Sequence, residues 1–403
     1  MDLKKIRQDF PLLQDAPGNK PVVYFDNACQ TLRPRQVIEA VTAYYQKSSA
    51  CSGRSMHRLA AEVTRGCDQA RAAVAKFLGA SRKEEIVFTR NTTEGINLVA
   101  NSLGLHPGDV VLISDKEHNS NLVPWQILAK RSGISYKVIP SLPDNTFDLN
   151  AFERLLDGQV KLVSLGHTSN LDGVTIPIEE VIRRAHKNGA LVMVDAAQSA
   201  PHKKINVKAL DVDFLALSGH KLLGPSGTGV LYGKYTLLEK LEPFLVGGDT
   251  VAVTTYDTCE FLPPPEKFEA GLQDYAGILG LGAAVQYLEK IGLDAVQKQE
   301  QALNELITAE IQSLPGLHLV GPASPKLRAG IVSFYIDGID SHRIALMLDQ
   351  MAGVMVRSGQ HCVHSWFNAH GIKGTVRASL YFYNTAEEAA KFCESLKKIR
   401  KVL

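Results

Sequence analysis

The chain has 403 residues, 45% of them hydrophobic and 21% charged, and its 44 Lys+Arg against 42 Asp+Glu leave a net charge of +2. That balance suits a globular protein with a sizeable core, long enough for roughly two to three domains. It excludes a nucleic-acid binder, because there is no basic excess to neutralise phosphates, and it excludes a disordered chain, because the 32 Gly and 18 Pro are not clustered.

Residues 1–10 are charged and amphipathic, without the apolar core of a signal peptide. An N-terminal helix within residues 1–19 is expected to pack on the smaller of two domains. From about residue 80, short β-rich runs alternate with helical stretches. The runs are 86–89, 110–114, 136–140, 161–165, 190–195, 214–218 and 229–232; helical stretches include 93–102, 121–131 and 178–187. Several runs are apolar throughout, as strands buried on both faces should be. The alternation predicts an α/β fold with a large, mostly parallel sheet covered by helices.

The rhythm changes after about 255. Pro263-Pro264-Pro265 reads as a rigid extended stretch, and one long helical region covers 278–311. A smaller α+β unit follows, with strands at 330–336, 354–357 and 376–382, a helix near 341–351 and a terminal helix. The expected division is a large domain over 20–284 and a small one over 285–403. The longest apolar run, 275–285, falls short of the about 20 residues a membrane span needs. The six cysteines (29, 51, 67, 259, 362 and 393) form no CxxC pair and read as reduced thiols of a cytoplasmic protein.

In open α/β sheets ligands bind beyond the carboxyl ends of the strands. After 86–89, Arg90-Asn91-Thr92-Thr93-Glu94-Gly95 opens a helix and offers an anion site, or simple capping. His118 follows 110–114, Asn170 follows 161–165, and Asp195 ends its own strand, where it can serve a ligand or cap the next helix. Lys221 follows 214–218 in Ser218-Gly219-His220-Lys221; desolvation there lowers an amine's pKa, as an imine-forming lysine requires. The glycines at 229 and 233 lack P-loop spacing, and those at 224–229 lack the order of a dinucleotide fingerprint. Pyridoxal phosphate accounts for the strand ends together. It needs a lysine for its aldehyde, a carboxylate for its ring nitrogen and a helix N-terminus for its phosphate. In the small domain, Cys362 sits beside His361 and His364 and reads as a nucleophilic thiol; zinc is the lesser alternative because a second ligand pair is missing, and no metal site is assigned. Arg377 can clamp a carboxylate or form a surface ion pair.

These motifs, with Phe25-Asp26-Asn27-Ala28, Glu117-His118-Asn119-Ser120-Asn121 and Val194-Asp195-Ala196-Ala197-Gln198, resemble the class V pyridoxal-phosphate enzymes of fold type I. Arg357-Ser358-Gly359-Gln360-His361-Cys362 is similar to the corresponding segment of SufS-type, or group II, cysteine desulfurases. The resemblance implies conversion of L-cysteine to L-alanine, with the sulfur left on Cys362 as a persulfide for iron–sulfur or other thio-cofactor assembly. It implies a cytoplasmic homodimer serving a sulfur-acceptor protein or scaffold; selenocysteine lyase, or another class V lyase or aminotransferase, is the alternative. By the same resemblance Lys221 joins the cofactor and moves protons, Asp195 holds the ring nitrogen protonated, His118 stacks on the ring and Gln198 bonds its oxygen. Thr93, Ser218 and His220 hold the phosphate, while Asn170, Arg357 and Arg377 face the substrate. The chain departs from the family in two places. Gly271-Leu272-Gln273-Asp274 replaces the usual Gly-Thr-Pro-Asn, so Leu272 cannot bond a neighbouring subunit's phosphate and Gln273 is the substitute to test. Gln360 replaces a frequent His, leaving His361 to influence the thiol.

Overall fold

The computed structural model describes residues 2–14 and 22–402. Seven strands form the larger sheet, in the order Ile86–Thr89, Gly229–Gly233, Phe214–Ser218, Leu191–Asp195, Val160–Gly166, Val110–Ser114 and Ser135–Ile139. All run parallel except Gly229–Gly233, which is antiparallel to both neighbours. Alternate residues of these strands enter two separate cores: Leu112, Val163, Val194 and Leu215 on one face, Val111, Leu162, Met193 and Phe214 on the other. Burial on both faces is why the runs show no alternation in the sequence. The predicted α/β class is the observed one.

Five strands form the second sheet, in the order Val23–Phe25, Val354–Gly359, Thr375–Ser379, Ile331–Ile336 and Leu317–Val320. Its core, with Phe25, Phe334, Leu348 and Phe392, is packed by the helices Leu293–Ser313, Ser341–Ala352 and Ala386–Val402. Val23–Phe25, expected with the large domain, instead adds in parallel to Val354–Gly359, pairing Phe25 with Val356. Three residues carry no readable strand pattern, so this pairing across more than 300 positions is set by tertiary contacts. The expected 278–311 helix is two helices, Tyr275–Ile291 and Leu293–Ser313, broken where Gly292 takes φ 82°. Pro264 and Pro265 lie in a turn rather than an extended stretch.

The N-terminal helix Leu3–Gln8 docks through Arg7, which donates to Tyr383 O at 2.6 Å and pairs with Glu388 at 2.8 Å. Phe10 packs against Tyr287, Phe382 and Tyr383. The remainder of the expected N-terminal segment, residues 15–19, lies outside the described residues. All six cysteines are free thiols. No helix among the described residues is long and apolar enough to cross a membrane.

Candidate active site

The carboxyl ends of the large sheet and two adjacent strands of the small sheet, Val354–Gly359 and Thr375–Ser379, enclose a cavity of about 280 Å³. Strand Leu191–Asp195 delivers Asp195, 8% exposed, whose Oδ1 accepts from Ala197 N at 2.9 Å. Strand Phe214–Ser218 runs into a tight turn, Gly219–Lys221, that brings Lys221 to the same space. Burial lowers the pKa of Lys221 and raises that of Asp195, and the attraction between the two opposes both shifts.

The helix Thr92–Ser102 starts beside Ser218, whose Oγ accepts from Thr92 N at 2.9 Å and lies 2.7 Å from Thr92 Oγ1. Asn91 caps that helix, accepting from Glu94 N at 3.0 Å. Thr93 Oγ1 meets Ser120 Oγ at 2.7 Å, and Ser120 Oγ meets His118 Nδ1 at 2.9 Å. Ser120 N also donates to His118 Nδ1 at 3.1 Å, so that nitrogen is an acceptor and the neutral ring carries its proton on Nε2. Burial, then the charges of Lys221 and Arg377, push the His118 pKa down to about 3. His220 is held down to about 4, again mainly by burial. Gln198 donates from Nε2 to Ala28 O at 2.8 Å, and its buried Oε1 has no partner among the described residues.

The small sheet supplies the opposite wall. Arg357 and Arg377 are directly paired across two antiparallel strands. Like charges in register are unfavourable alone, and Asp26 partly compensates, its Oδ1 3.6 Å from Arg377. Arg377 donates to Asn170 O at 2.8 Å and keeps a buried Nε with no partner among the described residues. Asn170 donates from Nδ2 to His361 O at 2.7 Å. Cys362 is exposed at the tip of a turn in which Val363 N donates to Gln360 O at 2.8 Å. His361 and Cys362 have φ of 48° and 60°, the geometry of a type I′ turn built without glycine or asparagine. Asn119 N clamps it by donating to Cys362 O at 2.7 Å.

The cavity therefore brings together Lys221, Asp195, His118, Gln198, Thr93, Ser218, His220 and Asn170 with Arg357, Arg377 and Cys362. Two further wall residues escaped the sequence reading. Glu117 was overshadowed by the adjacent His118, although an acidic residue at a buried strand end is itself a signal. Cys29 follows the recognised Phe25–Ala28 motif, and Arg357 Nη1 lies 3.5 Å from its Sγ.

Comparison with known proteins gives this cavity a context. Residues 23–392 match the family model described as aminotransferase class-V. The chain belongs to that family. Over its whole length it is 43% identical to a probable cysteine desulfurase of Xylella fastidiosa, covering 96% of that protein. It superposes with a TM-score of 0.94 on the apo cysteine desulfurase of Thermococcus onnurineus, at 40% identity over 99% of this chain and 98% of that one. A C-DES mutant with glycine covalently linked to its PLP cofactor superposes with a TM-score of 0.84, at 26% identity, over 97% and 98% of the two chains.

Within the class-V family the donor set can be checked against pyridoxal phosphate. A buried carboxylate and an amine of lowered pKa share the cavity with a neutral imidazole, and a capped helix start with two hydroxyls lies at one corner. Among the described residues, Gln198 Oε1 and Arg377 Nε are buried lining atoms without a partner, groups a bound ligand would satisfy. These residues fit the cofactor. At the departure from the family, Leu272 is 67% exposed, and Gln273 turns its amide back to Ala270 O (3.1 Å) and Gly271 O (3.2 Å). His361 directs Nε2 to Thr375 Oγ1 at 2.7 Å, and burial followed by Arg377 and Arg357 takes its pKa down to about 2. It is a neutral turn anchor, so it cannot act on the thiol as a cation.

Proposed function

We propose that this chain is a pyridoxal-phosphate-dependent cysteine desulfurase of the SufS type, converting L-cysteine to L-alanine and retaining the sulfur on Cys362. The observation that carries the reading is the enclosure of Lys221, Asp195, Arg377 and Cys362 in one cavity. Lys221, Asp195, His118, Gln198, Thr93, Ser218, His220 and Asn170 would hold the cofactor, which supplies an electron sink when bound.

The two guanidiniums, Arg377 above all, bind the substrate carboxylate by charge-assisted hydrogen bonds. Lys221, its pKa lowered by burial, is the amine placed to move protons at the substrate carbons. The neutral imidazole of His118 would hold the cofactor ring without repelling Lys221. Asp195 would hold a proton on the ring nitrogen. The Cys362 thiolate attacks the substrate sulfur; the carbon–sulfur bond breaks, its electron pair stays on carbon and is protonated to give alanine, and the persulfide remains on Cys362.

The reading extends to a large domain over 20–284 and a small one over 285–403, supported by the two sheets and their cores, with the strand Val23–Phe25 crossing over to complete the small sheet. Free thiols throughout support a cytoplasmic location. The exposed apolar side chains of Val246, Tyr256 and Leu272 support a homodimer, and the exposed Cys362 supports delivery of sulfur to an acceptor protein or iron–sulfur scaffold. The test is alanine formation from L-cysteine by the holoenzyme and its Cys362→Ala variant. Alanine from the wild type alone supports the reading; equal alanine from both removes Cys362 from the mechanism and favours a class V lyase, selenocysteine lyase among them.

A further inference from the structure

Glu117 has no part in the chemistry above, yet it is the most completely bonded acid in the cavity wall. It is 2% exposed. Oε1 accepts from Ser114 Oγ at 2.5 Å and Ser114 N at 3.3 Å; Gly166 N reaches both oxygens, at 3.1 and 3.0 Å; Oε2 accepts from Asn121 Nδ2 at 2.7 Å. Ser114 N, Gly166 N and the Asn121 amide nitrogen can only donate, which suits the ionised carboxylate, an acceptor at both oxygens. Asn121 is itself fixed, its Oδ1 accepting from Ser164 Oγ at 2.6 Å and Trp125 Nε1 at 3.3 Å. One carboxylate thus ties the ends of strands Val110–Ser114 and Val160–Gly166 to the first turn of helix Asn119–Ser132. Gly166 is the register partner of Asp195, which places Glu117 one strand from that acid.

We propose that Glu117 is a positioning residue: it anchors the strand-to-helix segment that carries His118 into the cavity and places a second negative charge one strand from Asp195, strengthening the hold of Asp195 on a protonated ring nitrogen. This rests on the cofactor reading above. Among the described residues, the strands and helix packed on Glu117 turn the neutral groups of Ser114, Gly166 and Asn121 toward it, with Ser164 and Trp125 behind them bonded to Asn121; Asp195 is the charged neighbour that couples to it. Burial draws the Glu117 pKa up to about 7 against the pull of its hydrogen bonds. The second charge is therefore present on the alkaline side of neutrality and lost on the acid side.

The test compares holoenzyme with its Glu117→Gln and Glu117→Asp variants by pH titration of the bound cofactor's visible absorbance, alongside kcat and KM. With Gln, the loss of the anion should move the titration midpoint down by about one pH unit and lower kcat by roughly tenfold or more, with KM for cysteine nearly unchanged. Asp should restore most of the midpoint. If Gln does not fold, Asn121→Ala, which removes one donor to Oε2, should move the midpoint in the same direction by less. An unmoved midpoint in a folded, cofactor-loaded variant, even with reduced stability, overturns the proposal. A wild-type protein that shows no cofactor absorbance overturns the cofactor reading and this inference with it.

Discussion

The two walls of the cavity are built in different ways. On the large-sheet side Asp195, Ser218 and Lys221 sit at or just past the ends of strands buried on both faces. Their placement follows from sheet register, and Asp195, Ser218 and Lys221 themselves keep ordinary backbone, positive φ entering only beyond them at Leu223. On the small-sheet side Cys362 rides a turn whose two central residues have positive φ without being glycine. Such a conformation costs about 1 to 2 kcal/mol per residue. It is held from the other wall, by Asn170 on His361 O and by Asn119 N on Cys362 O. One wall is set by the fold; the other is a strained loop kept in place by contacts across the cavity. A cofactor needs a fixed cradle. A thiol that takes sulfur in and passes it on needs a presenting loop.

The largest effect should come from the fixed wall. Lys221→Ala should reduce alanine formation by roughly 10³- to 10⁴-fold, measured by single-turnover product analysis. Arg377→Gln comes next: losing a charge-assisted clamp of about 1.5 to 3 kcal/mol should raise KM for cysteine roughly 10- to 150-fold, with cofactor absorbance unchanged. Asn170→Ala tests the cross-cavity hold, since it leaves His361 O buried without its donor. A drop in kcat of about tenfold is expected; an unchanged kcat would show that the turn holds itself. Cys29→Ala should be the mildest, leaving alanine formation within about twofold and the persulfide on Cys362 by mass spectrometry.

A pH comparison separates the buried histidines, among them His167 just after strand Val160–Gly166, from Glu117. The pKa values of His118, His167 and His361 are held down to about 3, 3 and 2, chiefly by burial. The unfolded chain therefore binds more protons than the folded one below about pH 6.5, and these groups make stability fall as pH drops from there toward 3. Glu117, raised to about 7, acts oppositely: the folded chain holds its proton more tightly, so its contribution falls as pH rises from about 4.5 through 7. Replacing His361 by Asn should flatten the acid limb of the denaturation midpoint, measured against pH, whereas Glu117→Gln should flatten the neutral one.

The same contrast explains what was legible in the sequence. Apolar runs without alternation marked the large-sheet strands, and the residues just beyond them are the cavity wall, because parallel strands end where ligands bind. Cys362 was legible by chemistry, but its turn was not: His361-Cys362 carries none of the glycine or asparagine that usually signals positive φ. Val23–Phe25 was missed because its partner lies more than 300 residues away and three residues set no period. The break at Gly292 was overlooked because helical pattern continues on both sides of it. Glu117 was passed over because its four donors come from a strand end, a neighbouring strand and a helix, a convergence that only the folded chain creates.

In the proposed mechanism the strained turn presents the sulfur-accepting thiol to a substrate held by the fixed wall. Its most direct test mixes holoenzyme with one equivalent of L-cysteine, quenches with an alkylating agent, and maps peptides by mass spectrometry while counting alanine. The expected result is about one alanine per site, with one extra sulfur atom on the peptide carrying Cys362 and none on the peptide carrying Cys29. Alanine formed with no added sulfur on Cys362, or with the sulfur on another cysteine, would contradict it.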